Sequence, residues 1–281
     1  MKKLQFLSII FLAFGFFSCV EEKLNPKITI EAEDEKAKFG KTIKISPLDE
    51  SVQITKSKII ISPVSEEQEY TISGYFNGQI ISKTKNTVLR LNNAYLENRT
   101  GKSVLQLGAK TEISAAKDST NYIVSQGRSF EKTGAIHSDR DLILGGSGTL
   151  YVKGRIAHAV EAEDVKIKGN GIFYLEGTRK GSAITCDTLT VEAEKSFSTY
   201  FLNSKNGIKA DTTIKINSGN FHFYNNVTAL KTEVSSKSSK RTRSITLSGG
   251  KFFFFENETL YATEEGAFSA NGAELIDETE K

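Results

Sequence analysis

The chain has 281 residues, with 37 Lys and Arg against 34 Asp and Glu. Without Lys2 and Lys3, which belong to the leader described next, 35 basic residues face 34 acidic ones, so the remainder is close to neutral. This composition lacks the excess of basic residues that is typical of nucleic-acid-binding proteins, and we expect no nucleic-acid partner.

The first residues are typical of a secretory leader. Lys2 and Lys3 precede a largely apolar run over 4–17, which ends at Ser18 and Cys19. This run is too short to span a membrane. A small residue before a cysteine resembles the bacterial lipobox, so we predict a lipoprotein signal peptide over 1–18 and lipidation of Cys19. An ordinary signal peptide followed by a chance cysteine is the alternative.

The residues after the cysteine bear on localisation. Val20 is followed by Glu21 and Glu22. Acidic residues at this place resemble the surface-export signal of Bacteroidetes lipoproteins. The resemblance implies an outer-membrane lipoprotein that is exposed at the cell surface, with its lipid anchor in the membrane.

The rest of the chain divides into three parts. Residues 19–44 are charged, aperiodic and interrupted by Pro26, which is typical of a tether. Short alternating strands occupy 45–276, which we predict to be a single monomeric domain, and 277–281 form a polar tail. Since 22 Gly and 3 Pro punctuate the chain and no helical periodicity follows the leader, the domain is predicted to be all-β.

A five-residue motif recurs along the second half of the chain. Its copies begin at Ala135, Ala159, Ala183, Gly207 and Ala229, at spacings of 24, 24, 24 and 22 residues. Its second and fourth residues are apolar or small, and its third and fifth are mostly polar or charged, as in a half-buried strand. Two further strands follow each copy. Three strands in about 22–24 residues are typical of a single-stranded, right-handed parallel β-helix, a β-solenoid.

The fourth motif position contains the second cysteine. With Cys19 lipidated, Cys186 has no disulfide partner and stands among small residues that are predicted to face inward. We therefore predict a buried structural thiol and no catalytic role for Cys186.

Residues 70–233 resemble a family of right-handed parallel β-helix lipoproteins described as carbohydrate-binding, first found in a cellulolytic clostridium. The supporting segments are 70–74 (YTISG), 88–94 (VLRLNNA), 119–122 (STNY) and above all 136–152 (IHSDRDLILGGSGTLYV). The resemblance implies binding of cellulose-like or acidic pectin-like glycans, and bound calcium. The family often places an Asp before its Gly-Ile step, and most copies here lack it, with Gly134, His158, Ser182 and Thr228 in its place.

The fifth motif position predicts an acidic column, formed by Asp139, Glu163, Asp187, Asp211, Glu233 and, in a degenerate last copy, Glu264. Stacked repeats place such carboxylates about 4.8 Å apart, where they repel unless cations intervene. Calcium prefers carboxylate oxygens, so the candidate calcium ligands are Asp139, Asp141, Glu163, Asp187 and Asp211. The alternative is a set of turn-forming acids, neutralised by Lys166, Lys168, Lys209 and Lys215.

A second outward column is aromatic. Alignment of the third strands places together Tyr151, Tyr174, Tyr200, His222 and Phe253. Aromatic faces stack on sugar rings, so these are the candidate carbohydrate contacts. The alternative is an aromatic ladder that stacks on itself and only shields the sheet. Arg241, in a Ser/Lys/Arg-rich insertion over 234–244, is a further candidate contact, since solenoid insertions become loops beside the binding face.

Catalysis is the less favoured function. Pectate lyases and related enzymes use the same solenoid, and Arg140 or Arg155 near the acidic column could serve as a base. The acids recur once per repeat and do not cluster in one unusual turn, and no catalytic motif of those enzymes is present. We therefore predict a non-enzymatic, surface-exposed lipoprotein that binds polysaccharide with possible help from calcium. The alternatives are a structural or adhesive envelope protein and a pectate lyase-like enzyme.

Overall fold

The computed structural model describes residues 35–127, 133–233, 242–263 and 266–278. The predicted signal peptide, Cys19, Arg241, Glu264 and most of the predicted polar tail lie outside these ranges. The described chain is all-β apart from one 3-10 helix, Lys36–Phe39, which we call η1. No helix of the described ranges is long and apolar enough to cross a membrane.

The strands follow η1 in chain order. The first nine are β1 (Ile43–Ser46), β2 (Val52–Ile54), β3 (Lys58–Ile61), β4 (Glu69–Asn77), β5 (Gln79–Ser82), β6 (Thr87–Asn98), β7 (Leu105–Leu107), β8 (Thr111–Ala115) and β9 (Thr120–Ser125). The next eight are β10 (Ile136–Ser138), β11 (Leu142–Gly146), β12 (Thr149–Gly154), β13 (Val160–Glu161), β14 (Asp164–Gly169), β15 (Ile172–Glu176), β16 (Ser182–Ala193) and β17 (Ser198–Leu202). The last eight are β18 (Asn206–Ile216), β19 (Asn220–Tyr224), β20 (Thr228–Thr232), β21 (Arg243–Leu247), β22 (Lys251–Phe255), β23 (Thr259–Thr263), β24 (Gly266–Ser269) and β25 (Glu274–Asp277).

These strands form three parallel ladders, in which each strand pairs with its equivalent in the next repeat. The first ladder runs β3, β5, β7, β10, β13, β16, β18, β20, β23. The second runs β4, β6, β8, β11, β14, β16, β18, β21, β24. The third runs β4, β6, β9, β12, β15, β17, β19, β22, β25. The long strands β4, β6, β16 and β18 each contribute to two ladders.

The N-terminal end departs from this pattern. Strand β1 pairs antiparallel with β4, and β2 pairs antiparallel with β3. The parallel stack therefore begins against two antiparallel strands, which the sequence analysis did not anticipate.

The predicted inside and outside of the repeat are confirmed. The second and fourth motif residues are buried in every copy, for example Ile136 with Ser138 and Ile184 with Cys186. The third and fifth residues are exposed or half-buried. Burial raises the pKa of the Cys186 thiol well above its usual value, consistent with the predicted structural role. Aromatic rings also stack inside, where Phe223 lies 4.7 Å from Phe201.

A repeated turn connects the third ladder to the next repeat. Asn203 and Asn225 adopt left-handed backbone, at φ of 49° and 52°, a conformation that Asn tolerates better than most residues. The buried Asn226 follows, and its side chain accepts a hydrogen bond from Ser204 N at 3.1 Å and donates one to Phe201 O at 3.0 Å. These bonds satisfy backbone groups of the buried turn and fix the register of the outward residues before it.

Candidate functional site

The outward face of the third ladder carries a continuous aromatic column. The strand register places in one line Tyr75, Tyr95, Tyr122, Tyr151, Tyr174, Tyr200, His222 and Phe253. The five predicted members are thus brought together, and Tyr75, Tyr95 and Tyr122 extend the column toward the N-terminal end.

The rings of the column stack on one another. From Tyr122 to Phe253 the centroids of successive rings lie 4.4–4.7 Å apart, with planes within 10° of parallel. The spacing of parallel strands, about 4.8 Å, suits face-to-face contact between equivalent rings. Ring faces are therefore occupied by neighbouring rings, and the half-buried side chains present edges and hydroxyl groups to solvent.

Burial keeps the titratable side chains of the aromatic column in their neutral forms. It raises the pKa of Tyr174 to about 12, with a smaller contribution from Tyr151, so the hydroxyl stays a hydrogen-bond donor at neutral pH. Burial also lowers the pKa of His222 to about 4, so this imidazole is neutral in the stack. The column therefore offers hydroxyl groups and a neutral imidazole, without charge.

A second outward column runs beside the aromatic one. Lys153 and Glu176 form an ion pair there at 2.9 Å, and further along the rings of Tyr224 and Phe255 stack at 4.4 Å. Burial raises the pKa of Tyr224 to about 12. The aromatic column is thus bordered by a paired charge on its N-terminal half and by two more rings on its C-terminal half.

The helix η1 covers the first members of the column. Phe39 packs 5.6 Å from both Tyr95 and Tyr122, measured between ring centroids. The ammonium group of Lys36 lies 4.4 Å above the centroid of Tyr75. The end of the segment that composition indicated as a tether is therefore packed on the sheet, and the ring contacts of η1 end at Tyr122.

A buried carboxylate holds η1 in place. Glu97 has no solvent exposure, and its carboxylate accepts hydrogen bonds from Lys36 Nζ at 2.7 Å and from the hydroxyl of Tyr75. Arg99 Nε lies 3.1 Å from the same carboxylate. Burial works to raise the pKa of Glu97, but the bonds from Lys36 and Tyr75 outweigh it and hold the pKa below its usual range. Glu97 is therefore ionised and paired at neutral pH.

The acidic column is a set of ion pairs. His137 lies between two carboxylates, with Nδ1 3.0 Å from Glu161 Oε2 and Nε2 3.1 Å from Asp139 Oδ1. Further along, Lys231 Nζ lies 2.9 Å from Glu233, and Lys209 Nζ lies 3.9 Å from the same carboxylate. The prediction that lysines neutralise the acidic column is confirmed for Lys209.

Two other lysines that were predicted to neutralise the acidic column pair with carboxylates outside it. Lys166 pairs with Glu192 at 2.5 Å, and Lys168 pairs with Glu112 at 2.7 Å. Arg140, considered above as a base, lies 3.4 Å from Glu163. The cations near these acids therefore act as ion-pair partners.

The acids of the described ranges form no cluster that could hold a metal ion. Calcium needs six to eight oxygen ligands, yet no three His, Cys, Asp or Glu side chains of the described ranges converge where they could hold a metal ion. Asp139 follows β10 and contacts His137, whereas Asp141 precedes β11 and lines a shallow depression with Asp164 and Lys110. Calcium binding stays a prediction of the family resemblance.

A cleft of about 980 Å³ opens at the N-terminal end of the ladders. Its cationic lining residues are Lys41, Lys56, Lys58, Arg99 and Lys102, and no Asp or Glu of the described ranges lines it. Tyr75, Phe76 and the amides of Asn77, Gln79 and Asn98 also line the cleft. This cleft is not predictable from the sequence, because its residues come from separate strands and loops with no common spacing.

Comparisons with known proteins point to carbohydrate. Residues 55–181 match the model of a family described as "Carbohydrate-binding domain-containing protein". A solved structure titled "Structure of the polysaccharide lyase-like protein from C. thermocellum, Gadolinium derivative" superposes with a TM-score of 0.52 at 17% identity, covering 83% of this chain and 89% of that one. At this identity the likeness shows the fold alone. No curated protein matches the chain.

Proposed function

We propose that this protein is a surface lipoprotein, anchored through Cys19, whose right-handed parallel β-helix binds polysaccharide without cleaving it. The three parallel ladders support the β-helix. The match of residues 55–181 to a carbohydrate-binding family supports the ligand class. The leader and the Ser18-Cys19 pair support the outer-membrane anchor.

The open part of the aromatic column, from Tyr151 to Phe253, carries the proposal. It is a line of half-buried rings, one to each repeat, spaced at 4.4–4.6 Å. Because ring faces are stacked on one another, a glycan chain would lie along ring edges and accept or donate hydrogen bonds at the hydroxyl groups of Tyr151, Tyr174 and Tyr200. A regular polymer fits a regular line better than a compact ligand does.

The contacts of the outward acids support binding without cleavage. Glycosidases need two carboxyl groups placed across the scissile bond, one of them able to give up a proton. The described acids of the motif that face outward are instead spread one or two to a repeat, and His137, Arg140, Lys209 and Lys231 pair with several of them. No pair of them is set apart for catalysis.

The self-stacked rings favour a second candidate, a structural or adhesive envelope protein. In that case the column serves only to hold repeats in register and to shield the sheet. The two functions differ at the hydroxyl groups, since stacking needs the rings and glycan binding needs the hydroxyls too.

A triple variant separates the two functions. Replacing Tyr151→Phe, Tyr174→Phe and Tyr200→Phe keeps the stack and removes three hydrogen-bonding groups. Each such bond contributes about 1 kcal/mol, so we expect retention on insoluble cellulose or pectin to fall at least tenfold with little change in melting temperature. The control variant carries Tyr95→Phe and Tyr122→Phe, because η1 covers both of these rings. Undiminished retention by the triple variant would move the site away from the column.

The anchor has its own test. Cys19→Ala removes the predicted lipid acceptor, and we expect the protein to leave the membrane fraction of fractionated cells. Mature variant protein that stays wholly in the membrane fraction would exclude lipidation at Cys19.

A further inference from the structure

The cationic cleft at the N-terminal end is the second surface of this molecule that the geometry sets apart. All five of its basic side chains, Lys41, Lys56, Lys58, Arg99 and Lys102, are exposed. Arg99 already contacts the carboxylate of Glu97. No ion pair with a carboxylate of the described residues occupies the other four, so their charge is available to a ligand.

The lining of the cleft selects anions. Five cations surround about 980 Å³, only Arg99 among them is paired, with Glu97, and none of the described lining residues is an Asp or Glu, so the cleft has a positive potential that concentrates negatively charged groups. Lysine ammonium groups bind phosphate as point charges, and the hydroxyl groups of Thr55, Ser57 and Thr100 can donate hydrogen bonds to its oxygens. A phosphate group suits this combination of donors.

The position of the cleft indicates where the phosphate comes from. Lys41 lies two residues after η1, at the point where the chain leaves the segment that follows Cys19. The cleft is therefore at the end of the ladders nearest the proposed anchor, and Lys44, which is exposed, adds charge at the same end. Clusters of basic residues beside a membrane attachment are attracted to anionic lipid headgroups.

We infer that the cleft binds the phosphate of anionic lipid headgroups, so that the N-terminal end rests on the membrane and the ladders project from it. The orientation rests on the proposed lipid anchor, whereas the headgroup contact itself does not require it. In this arrangement the open aromatic column points away from the bilayer, toward solvent.

The experiment uses the full chain with Cys19→Ser, so that vesicle binding reports the cleft and not the acyl chains. Binding is measured by cosedimentation with phosphatidylcholine vesicles that contain or lack phosphatidylglycerol. The test variant carries Lys41→Gln, Lys56→Gln, Lys58→Gln and Lys102→Gln. The control variant carries the same charge change at four exposed lysines of later repeats, Lys180, Lys195, Lys205 and Lys215.

We expect binding only to vesicles that contain phosphatidylglycerol, weakening as salt is raised. Each lysine near such a surface contributes roughly a fivefold gain in affinity, so the cleft variant should bind at least tenfold more weakly than the control. Equal loss in both variants, or binding to phosphatidylcholine alone, would overturn the inference.

Two further experiments test whether the cleft binds an anion from another source. Inorganic phosphate is tested as a competitor of vesicle binding. If a low concentration of phosphate displaces the protein from the vesicles, the cleft is a site for free phosphate and not for lipid headgroups. Soluble polygalacturonate is tested for direct binding. If the cleft variant loses polygalacturonate and neither protein binds vesicles, the cleft belongs to the glycan site. Loss of cellulose or pectin retention in the Tyr→Phe triple variant bears on the proposed function alone, since it leaves the cleft intact.

Discussion

The rings of Tyr151 and Tyr174 lie 4.6 Å apart and within 8° of parallel, and Tyr200 continues the stack on the far side of Tyr174 at the same distance. Tyr174 therefore contacts a ring on each face. Aromatic pairs contribute about 0.5–1.5 kcal/mol beyond the area they bury. We expect Tyr174→Ala to lower the free energy of unfolding by about 1–3 kcal/mol, and Tyr174→Phe to change it by less than about 0.5 kcal/mol. Urea unfolding of both variants checks this, and equal stabilities would mean that the stack contributes nothing.

His222 gives the protein an acid-dependent stability. Its pKa falls from 6.5 to about 4 on folding, because burial in the stack disfavours the charged form. The unfolded chain therefore binds the extra proton between those values, and stability present above 6.5 is lost as pH falls toward 4. His222→Phe matches Phe253, keeps the stack and cannot titrate. We expect its melting temperature to decline less over this range, and parallel melting profiles for the two proteins would contradict the assignment.

The pair of His137 and Glu161 has the opposite pH dependence on its histidine side. The hydrogen bond to Glu161 raises the pKa of His137 above 6.5, so this stabilisation is full below 6.5 and is lost as pH rises through the folded value. Burial works to raise the pKa of Glu161, but the bond to His137 holds it below 4.5, so its stabilisation is lost as pH falls through the folded value. The pair therefore stabilises most between 4.5 and 6.5.

The His137 assignment is measured by titrating the imidazole by NMR. In Glu161→Gln we expect the pKa of His137 to fall, since the neutral amide cannot stabilise the imidazolium to the same degree. Asp139→Asn is the control, because that second contact is the weaker contribution to the shift. A His137 pKa that stays the same in Glu161→Gln would place the cause elsewhere.

Chelation tests the acidic column. Since Lys209, Lys231, Arg140 and His137 already neutralise several of its acids, we expect a chelator to leave the melting temperature unchanged. A bound ion present at a hundred times its dissociation constant would add about 2.7 kcal/mol, which a thermal scan resolves. A clear drop, with calcium found by elemental analysis, would place a cation among these residues and support the resemblance.

The repeat was predictable from the sequence because alternation and spacing act together. Ile136, Val160, Ile184, Ile208 and Leu230 recur at nearly constant intervals, and a one-residue slip would turn each of them to solvent. The strand pairings follow from that spacing, as do the inward Cys186 and the alternation of Phe252 to Phe255.

The early members of the aromatic column were missed because the spacing changes there. Tyr95 and Tyr122 are 27 residues apart, and Tyr122 and Tyr151 are 29 apart, so no fixed period aligns them. Side-chain directions were predictable, but what the rings contact was not, since stacking depends on the rotamers of neighbouring rungs. The packing of η1 and the cationic cleft depend on tertiary contacts between segments without a shared pattern, such as Lys36 with Glu97.

The ladders also determine the order in which the parts of this molecule unfold. Within a ladder, each strand pairs only with its equivalents in the preceding and following repeats, and among the described strands β23, β24 and β25 pair on one side alone. At the other end, η1, β1 and β2 close the stack. Fraying and proteolysis therefore advance from the C-terminal end rung by rung. Partial unfolding should therefore remove the last repeats first, while the end that β1 and β2 close keeps its fold.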